Sequence, residues 1–146
     1  MNTIAFFNSI VKPTIEEFMA SPLDIRRGLL SAIVLNQMTD YWAIEKGCNL
    51  KDCRKKLSEN NPDYSFINDV ADATKHAQLH NKLRPVHDSS QITRTPGLFG
   101  APFGYGFFAE ACIVFAMLND GTEIPLLPAV ESVLKMWEDI LSESLS

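Results

Sequence analysis

The segment over residues 22–46 constrains the fold most, because it has the longest helical pattern and is apolar over most of its circumference. At about 100° per residue, one apolar stripe forms along this helix, and a second apolar side carries Leu35 and Trp42. The stripe consists of Leu23, Leu30, Val34 and Tyr41, widened by Leu29, Ile33 and Ile44. A helix with apolar residues on most sides belongs at the centre of a bundle. Gly47 follows it, and glycine favours the left-handed conformation that ends many helices.

A second helix signal begins at Asn61, Pro62 and Asp63. Asparagine is a good N-cap, proline suits the first helical position, and an acid there stabilises the positive end of the helix dipole. The helical period continues to about residue 80, and Pro85 is a firm stop. The narrow apolar stripe of this segment consists of Phe66, Val70, Ala73 and Ala77. We therefore predict a helix over residues 62–80 that packs on another helix through this stripe.

The pattern changes after Pro85. Residues 112–118, the turn sequence Asn119-Asp120-Gly121 and residues 122–127 together predict a β-hairpin, within a loop and hairpin region over 86–127. A terminal helix is predicted over 128–144, where apolar residues recur at helical spacing. A chain of 146 residues has the size of one domain. We therefore predict one domain over 1–146, α+β and mainly α: a helical bundle over 1–82 with a small antiparallel sheet and a C-terminal helix.

Chemically active side chains lie beside the apolar stripe of the predicted 62–80 helix, at the border of its buried face. They are Asp69, Asp72, His76 and His80, with Lys75 next to them. On the long helix, Asn36 and Asp40 lie one turn apart within the apolar side, which makes them natural partners for Asp72 or His76. Groups at such a border can have shifted pKa values. The candidate polar cluster therefore consists of His76, Asp72, Asp69, Asp40, Asn36 and Lys75.

Three interpretations of this candidate cluster stay open. His76 can form a half-buried hydrogen bond with Asp40 or Asp72 that fixes helix packing, since buried polar groups are usually paired. The cluster can instead be catalytic, for example in cutting nucleic acid. A metal site would need about three ligands in one small volume, and His76, Asp72 and Asp40 are the residues that would supply them. We predict no metal and no cofactor.

Two other segments have a composition that a binding site can have. Residues 96–108 are rich in glycine and phenylalanine but lack a GxGxxG or Walker pattern, which gives phosphate binding little support. A loop this apolar favours a core or dimer contact over a small-molecule pocket. The basic run over 51–56, with Arg26, Arg27 and Lys46, is typical of a solvated charged face.

Charge and cysteine content restrict the partners and the compartment. The net charge of −5 argues against nucleic acid as a partner, although it leaves room for a local basic patch. We expect no membrane association, because no apolar run reaches the ~18 residues of a membrane span. Cys48, Cys53 and Cys112 are odd in number and do not form a CxxC motif, which predicts free thiols in a reducing cytoplasm. The first residues also lack the pattern of a signal peptide.

The run Asp69-Val70-Ala71-Asp72-Ala73-Thr74-Lys75-His76, after a long apolar helix, resembles the helix with a terminal histidine of HEPN-type proteins. It also resembles small bacterial proteins with a similar Asp-Val-Ala-Asp-Ala-x-Lys-His run. The resemblance covers residues 22–80 and implies a helical bundle that is often dimeric. Many HEPN proteins are metal-independent ribonucleases or components of toxin–antitoxin and phage-defence systems. Their motif places an arginine shortly before the histidine, whereas the matching window here holds Asp69, Val70 and Ala71.

Together these features predict a cytosolic, HEPN-like interaction or regulatory module without catalysis, acting on a protein partner. The alternative is an enzyme centred on His76 with Asp72, Asp69 and Asp40, either a metal-independent ribonuclease or a metal-dependent hydrolase. We also predict a homodimer. The side of the long helix with Leu35 needs a cover, which either the loop over 96–108 or a second copy can supply.

Overall fold

The computed structural model describes residues 1–94 and 113–145 and confirms the mainly α, α+β architecture. The helices are α1 (Thr3–Phe6), α2 (Lys12–Ala20), α3 (Ile25–Lys46), α4 (Leu50–Asn60), α5 (Pro62–His76) and α6 (Leu126–Ser144). A π-helical segment, Phe7–Val11, joins α1 to α2, and a 3₁₀ turn spans Ser89–Gln91. The strands are β1 (Ile92–Arg94), β2 (Val114–Met117) and β3 (Glu123–Pro125). Among the described helices, none combines the length and the apolar character that a membrane span needs.

Helix α3 occupies the centre of the bundle, as its apolar circumference predicts, and packs against α2, α5 and α6. Leu35 and Met38 are fully buried. The helix begins at Ile25 rather than near residue 22, because the Asp24 carboxylate accepts a hydrogen bond from the backbone N–H of Arg27 and so forms the N-cap. Gly47 ends α3 with a φ of 65°, which confirms the left-handed cap.

Helix α6 covers the second apolar side of α3. The ring of Trp137 meets the ring of Trp42 edge-on, with 5.9 Å between centroids and 72° between planes. Trp137 is fully buried, as is Leu35 on this side of α3. The C-terminal helix thus supplies apolar surface to this side of α3, a cover that the sequence analysis did not consider.

Helix α5 begins as predicted and ends earlier. The Asn61 side chain accepts a hydrogen bond from the backbone N–H of Asp63 at 3.0 Å, which confirms the N-cap. The helix stops at His76 and does not reach residue 80, because Ala77 adopts a φ of 62°. The chain then folds back, and the backbone N–H of Ser89 donates to the carbonyl of Ala77 at 2.8 Å. This reversal returns the loop over residues 77–88 to the side of α5.

The three strands form one antiparallel sheet in the order β1-β2-β3. Strands β2 and β3 form the predicted hairpin, and Gly121 in its turn has a φ of 85°, which favours glycine. Pro125 lies in β3 at the edge of the described sheet, where a missing N–H is tolerated. Helix α6 follows β3 directly and begins at Leu126 instead of residue 128, so that Pro128 falls in its first turn.

The connection between α3 and α4 carries a disulfide between Cys48 and Cys53, which corrects the prediction of free thiols for this pair. Gly47 turns the chain, and the Asn49 side chain caps α4 by accepting a hydrogen bond from the backbone N–H of Lys51 at 2.9 Å. Cys53 then lies one turn into α4, opposite Cys48. The spacing of the two cysteines alone did not predict this turn. Cys112 lies outside the described residues.

Candidate functional site

Two of the predicted carboxylates, Asp69 and Asp72, share one guanidinium group. They lie three residues apart on α5 and therefore face the same side. Arg84, in the loop after α5, donates from Nε to Asp69 Oδ1 at 2.8 Å and from Nη2 to Asp72 Oδ2 at 3.0 Å. The exposed fractions of the side chains are 14% for Asp69, 20% for Asp72 and 28% for Arg84. The three groups thus form a largely buried charge cluster, which we call the Arg84 cluster.

Burial and ion pairing shift the pKa values of the Arg84 cluster in opposite directions. Burial raises the pKa of Asp69, and the hydrogen bonds and positive charge of Arg84 offset this only in part. For Arg84, burial alone lowers the pKa, but the hydrogen bonds and charges of Asp69 and Asp72 outweigh it and raise the pKa overall. Arg84 therefore remains a cation that neutralises the buried acids.

Lys75 and Asn36 join this cluster to the central helix. Lys75 Nζ donates to Asn36 Oδ1 at 2.8 Å and lies 3.5 Å from Asp72 Oδ1. Asn36 is fully buried, and its Nδ2 donates to Asn68 Oδ1 at 2.8 Å. A polar residue on an apolar side of α3 is thus satisfied by two residues of α5.

Asp40 has a separate partner. Its Oδ1 lies 3.5 Å from Nη2 of Arg54 on α4, and both side chains are about one-third exposed or more. Such a long, half-exposed contact is a weak ion pair. One residue earlier on α3, the buried hydroxyl of Thr39 lies 2.7 Å from the Tyr64 hydroxyl, and burial raises the pKa of Tyr64.

His76 and His80 are exposed on the surface, and neither predicted hydrogen bond from His76 to Asp40 or Asp72 is present among the described residues. The reason is local: α5 ends at His76, and Asp72 is engaged by Arg84 and Lys75. Within residues 1–94 and 113–145, no three residues of the His, Cys, Asp and Glu types are grouped to hold a metal ion. The structure therefore does not bring His76, Asp72 and Asp40 together as a ligand set.

An open polar cavity of about 300 Å³ lies beside the Arg84 cluster, between α4 and α5. Its lining residues are Arg54, Ser58, Ser65, Asn68, Asp69, Asp72 and Arg84. The sequence prediction placed only Asp69 and Asp72 at a site. The helical spacing of Arg54 and Ser58 on one helix, and of Ser65 and Asp69 on the next, is a signal that could have indicated two facing polar surfaces.

The structure describes only one of the two other segments considered as sites, the basic run over 51–56. Lys51, Lys55 and Lys56 are exposed, in agreement with a solvated charged face, whereas Arg54 of the same run is half-buried in the cavity wall. The glycine- and phenylalanine-rich loop over 96–108 lies outside the described residues.

Comparison with protein-family models, with curated proteins and with solved structures gives no match for this chain. The resemblance to HEPN-type proteins therefore stays a prediction from the sequence, and the function has to be argued from the site itself.

Proposed function

We propose that this protein acts by binding rather than by catalysis, as an interaction or regulatory module with a HEPN-like helical bundle. The observation that carries the proposal is the engagement of the candidate acids: Asp69 and Asp72 both bind Arg84. A general base needs a free lone pair within hydrogen-bond reach of its substrate and usually a third group that orients it. His76, exposed at the end of α5, has no such orienting group among the described residues.

The biological role that we propose for this module follows from the resemblance to HEPN-type proteins. HEPN-type proteins include components of toxin–antitoxin and phage-defence systems, and we propose a regulatory role of that kind through a protein partner. The cytoplasmic location predicted from the sequence is part of the proposal. In that reducing compartment, the Cys48–Cys53 disulfide is expected to open.

The proposal predicts that the purified protein does not cleave RNA. Single-stranded RNA incubated with the wild-type chain, with and without Mg²⁺ or Mn²⁺, should give the same cleavage rate as a buffer control. The variants His76→Ala and Asp72→Asn should be indistinguishable from the wild type, because Asp72 is engaged by Arg84 and Lys75 and His76 has no orienting partner among the described residues. Gel analysis of end-labelled RNA measures the rate, and cleavage that depends on His76 would contradict the proposal.

An enzyme remains the alternative, and one observation favours it. Asp69 lines an open polar cavity and has a pKa raised by burial, as catalytic acids often have. If the alternative holds, any turnover would be lost in Asp69→Asn. An enzyme centred on His76, as the sequence alone suggested, would instead lose its turnover in His76→Ala.

We also propose a homodimer, supported by apolar side chains that α3 leaves exposed. Leu30 and Ile44 are 41% and 83% exposed, and they lie on the same side of α3, about 40° apart by helix geometry. A two-fold pair is the commonest way in which soluble proteins cover such a face.

The homodimer proposal predicts a sedimentation mass of about twice 16.3 kDa at micromolar concentration. Leu30→Glu should shift the protein to monomers, because it places a charge in the interface. Leu83→Glu changes a leucine of the loop after α5 that is 91% exposed, and it should leave the mass unchanged. A monomeric wild type would contradict the dimer.

A further inference from the structure

We propose that the cavity between α4 and α5 binds an oxyanion, a phosphate or carboxylate group, through Arg54, Ser58 and Ser65. This inference rests on the proposed binding function and names the chemistry of the ligand. The cavity is open to solvent and has room for such a group at about 300 Å³. Its donors come from two facing helices, α4 and α5.

Arg54 is the main donor, because its hydrogen-bonding capacity is largely unused. Its contact with Asp40 joins one nitrogen to one oxygen at 3.5 Å. Its Nε is shielded from solvent and makes no hydrogen bond with any described residue, although a buried donor without a partner is costly. A guanidinium carries five N–H donors in a planar fork that matches two oxygens of a carboxylate or phosphate. Because Nε is shielded from solvent, an oxyanion in the open cavity would be bound by the terminal nitrogens of this fork, Nη1 and Nη2, of which only Nη2 makes a hydrogen bond with a described residue.

Two serine hydroxyls complete the donor set. Ser58 follows Arg54 by four residues on α4, and Ser65 precedes Asp69 by four residues on α5, so that each lies on the cavity side of its helix. Neither hydroxyl makes a hydrogen bond with another residue in the described ranges 1–94 and 113–145. Both can therefore donate to an oxygen of the ligand.

The charges around the cavity allow an anion to enter despite two carboxylates in its wall. Asp69 and Asp72 are paired with Arg84, and Lys75 lies 3.5 Å from Asp72. Two cations thus balance these two acids, and Arg54 is opposed only by the loosely held Asp40. Two exposed lysines of α4, Lys51 and Lys55, add a local positive field to a chain whose net charge is −5.

Titration of the isotope-labelled full-length protein with inorganic phosphate, and separately with acetate, tests the inference. Sodium chloride keeps the ionic strength constant, and nuclear magnetic resonance follows the backbone amides of Arg54, Ser58 and Ser65. We expect saturable shifts at these amides. Arg54→Gln should weaken binding about tenfold or more, because it removes the charge-assisted fork. Tighter binding of phosphate would assign a phosphorylated ligand, and tighter binding of acetate would assign a carboxylate ligand.

Matched variants distinguish a specific anion-binding site from a general effect of charge on anion affinity. Asp40→Asn removes the acid that competes for Arg54 and should tighten binding about two- to threefold. Lys56→Gln and Asp52→Asn make the same charge changes about 200° around α4 from Arg54, and they should leave the affinity unchanged.

Two outcomes would overturn the inference: no saturable shift with either anion, or equal affinity in a folded Arg54→Gln variant. Neither outcome bears on the proposed non-catalytic function. RNA cleavage by the wild type would overturn that function and leave the anion site standing, so the two failures are distinguishable.

Discussion

Replacing Arg84 with leucine is expected to lower the free energy of unfolding by about 2–3 kcal/mol at pH 7. The substitution removes the cation that both Asp69 and Asp72 bind, and it leaves two largely buried carboxylates three residues apart. Breaking a fully buried pair by removing one partner typically costs about 3–5 kcal/mol, and the partial exposure of these side chains reduces that figure. Urea unfolding followed by circular dichroism measures the loss.

The loss in Arg84→Leu should grow with pH. In the wild type, burial already raises the pKa of Asp69 above the ordinary value of 3.8. A raised carboxyl pKa favours the protonated folded form, so its contribution is complete below 3.8 and is lost as the pH rises through the folded pKa. Without Arg84 to oppose burial, this pKa rises further. The difference in stability between wild type and variant should therefore be smaller near pH 4 than at pH 7.

Two further variants show whether the effect belongs to the Arg84 cluster. Arg54→Leu also removes a guanidinium, but from the weak contact with Asp40, and it should cost about 0–1 kcal/mol. Combining Asp69→Asn with Arg84→Leu should recover part of the loss, because one unpaired buried charge is gone. A loss below about 0.5 kcal/mol for Arg84→Leu at pH 7 would show that Arg84 does not hold the two acids in solution.

The parts of the fold that the sequence predicted are those with local causes. Asn61 and Pro62 start α5, and Gly47 ends α3, because caps depend on the residues at the helix end itself. The end of α5 was predicted too late. The helical period continues to residue 80, but a positive φ at Ala77, set by the returning loop, overrides it.

In the candidate site, too, the sequence predicted the features with local causes and missed those that depend on tertiary contacts. Helical periodicity placed Asp69 and Asp72 at the border of a buried face, and it placed Asn36 on an apolar side of α3. Their partners could not be found that way. Arg84 reaches Asp69 only because the chain reverses after Ala77, and such a path depends on tertiary contacts rather than on spacing.

Replacing Trp137 with alanine is expected to cost about 3–5 kcal/mol of folding free energy, the range for removing a large aromatic side chain from a core. Trp137 is fully buried, and its edge-on contact with Trp42 joins α6 to α3. The cost combines lost apolar burial with the cavity left beside Trp42. Urea unfolding followed by circular dichroism is the suitable measurement, because the substitution also removes one of the two tryptophan fluorophores.

Trp137→Phe is the informative companion to this variant. Phenylalanine keeps an aromatic ring against Trp42 and removes an indole N–H that has no hydrogen-bond partner among the described residues. We therefore expect a smaller loss of about 1–2 kcal/mol. If Trp137→Ala cost less than about 1 kcal/mol, α6 would not be the element that stabilises this side of α3. In that case the loop over 96–108 or a second copy of the chain would again be needed to cover Trp42.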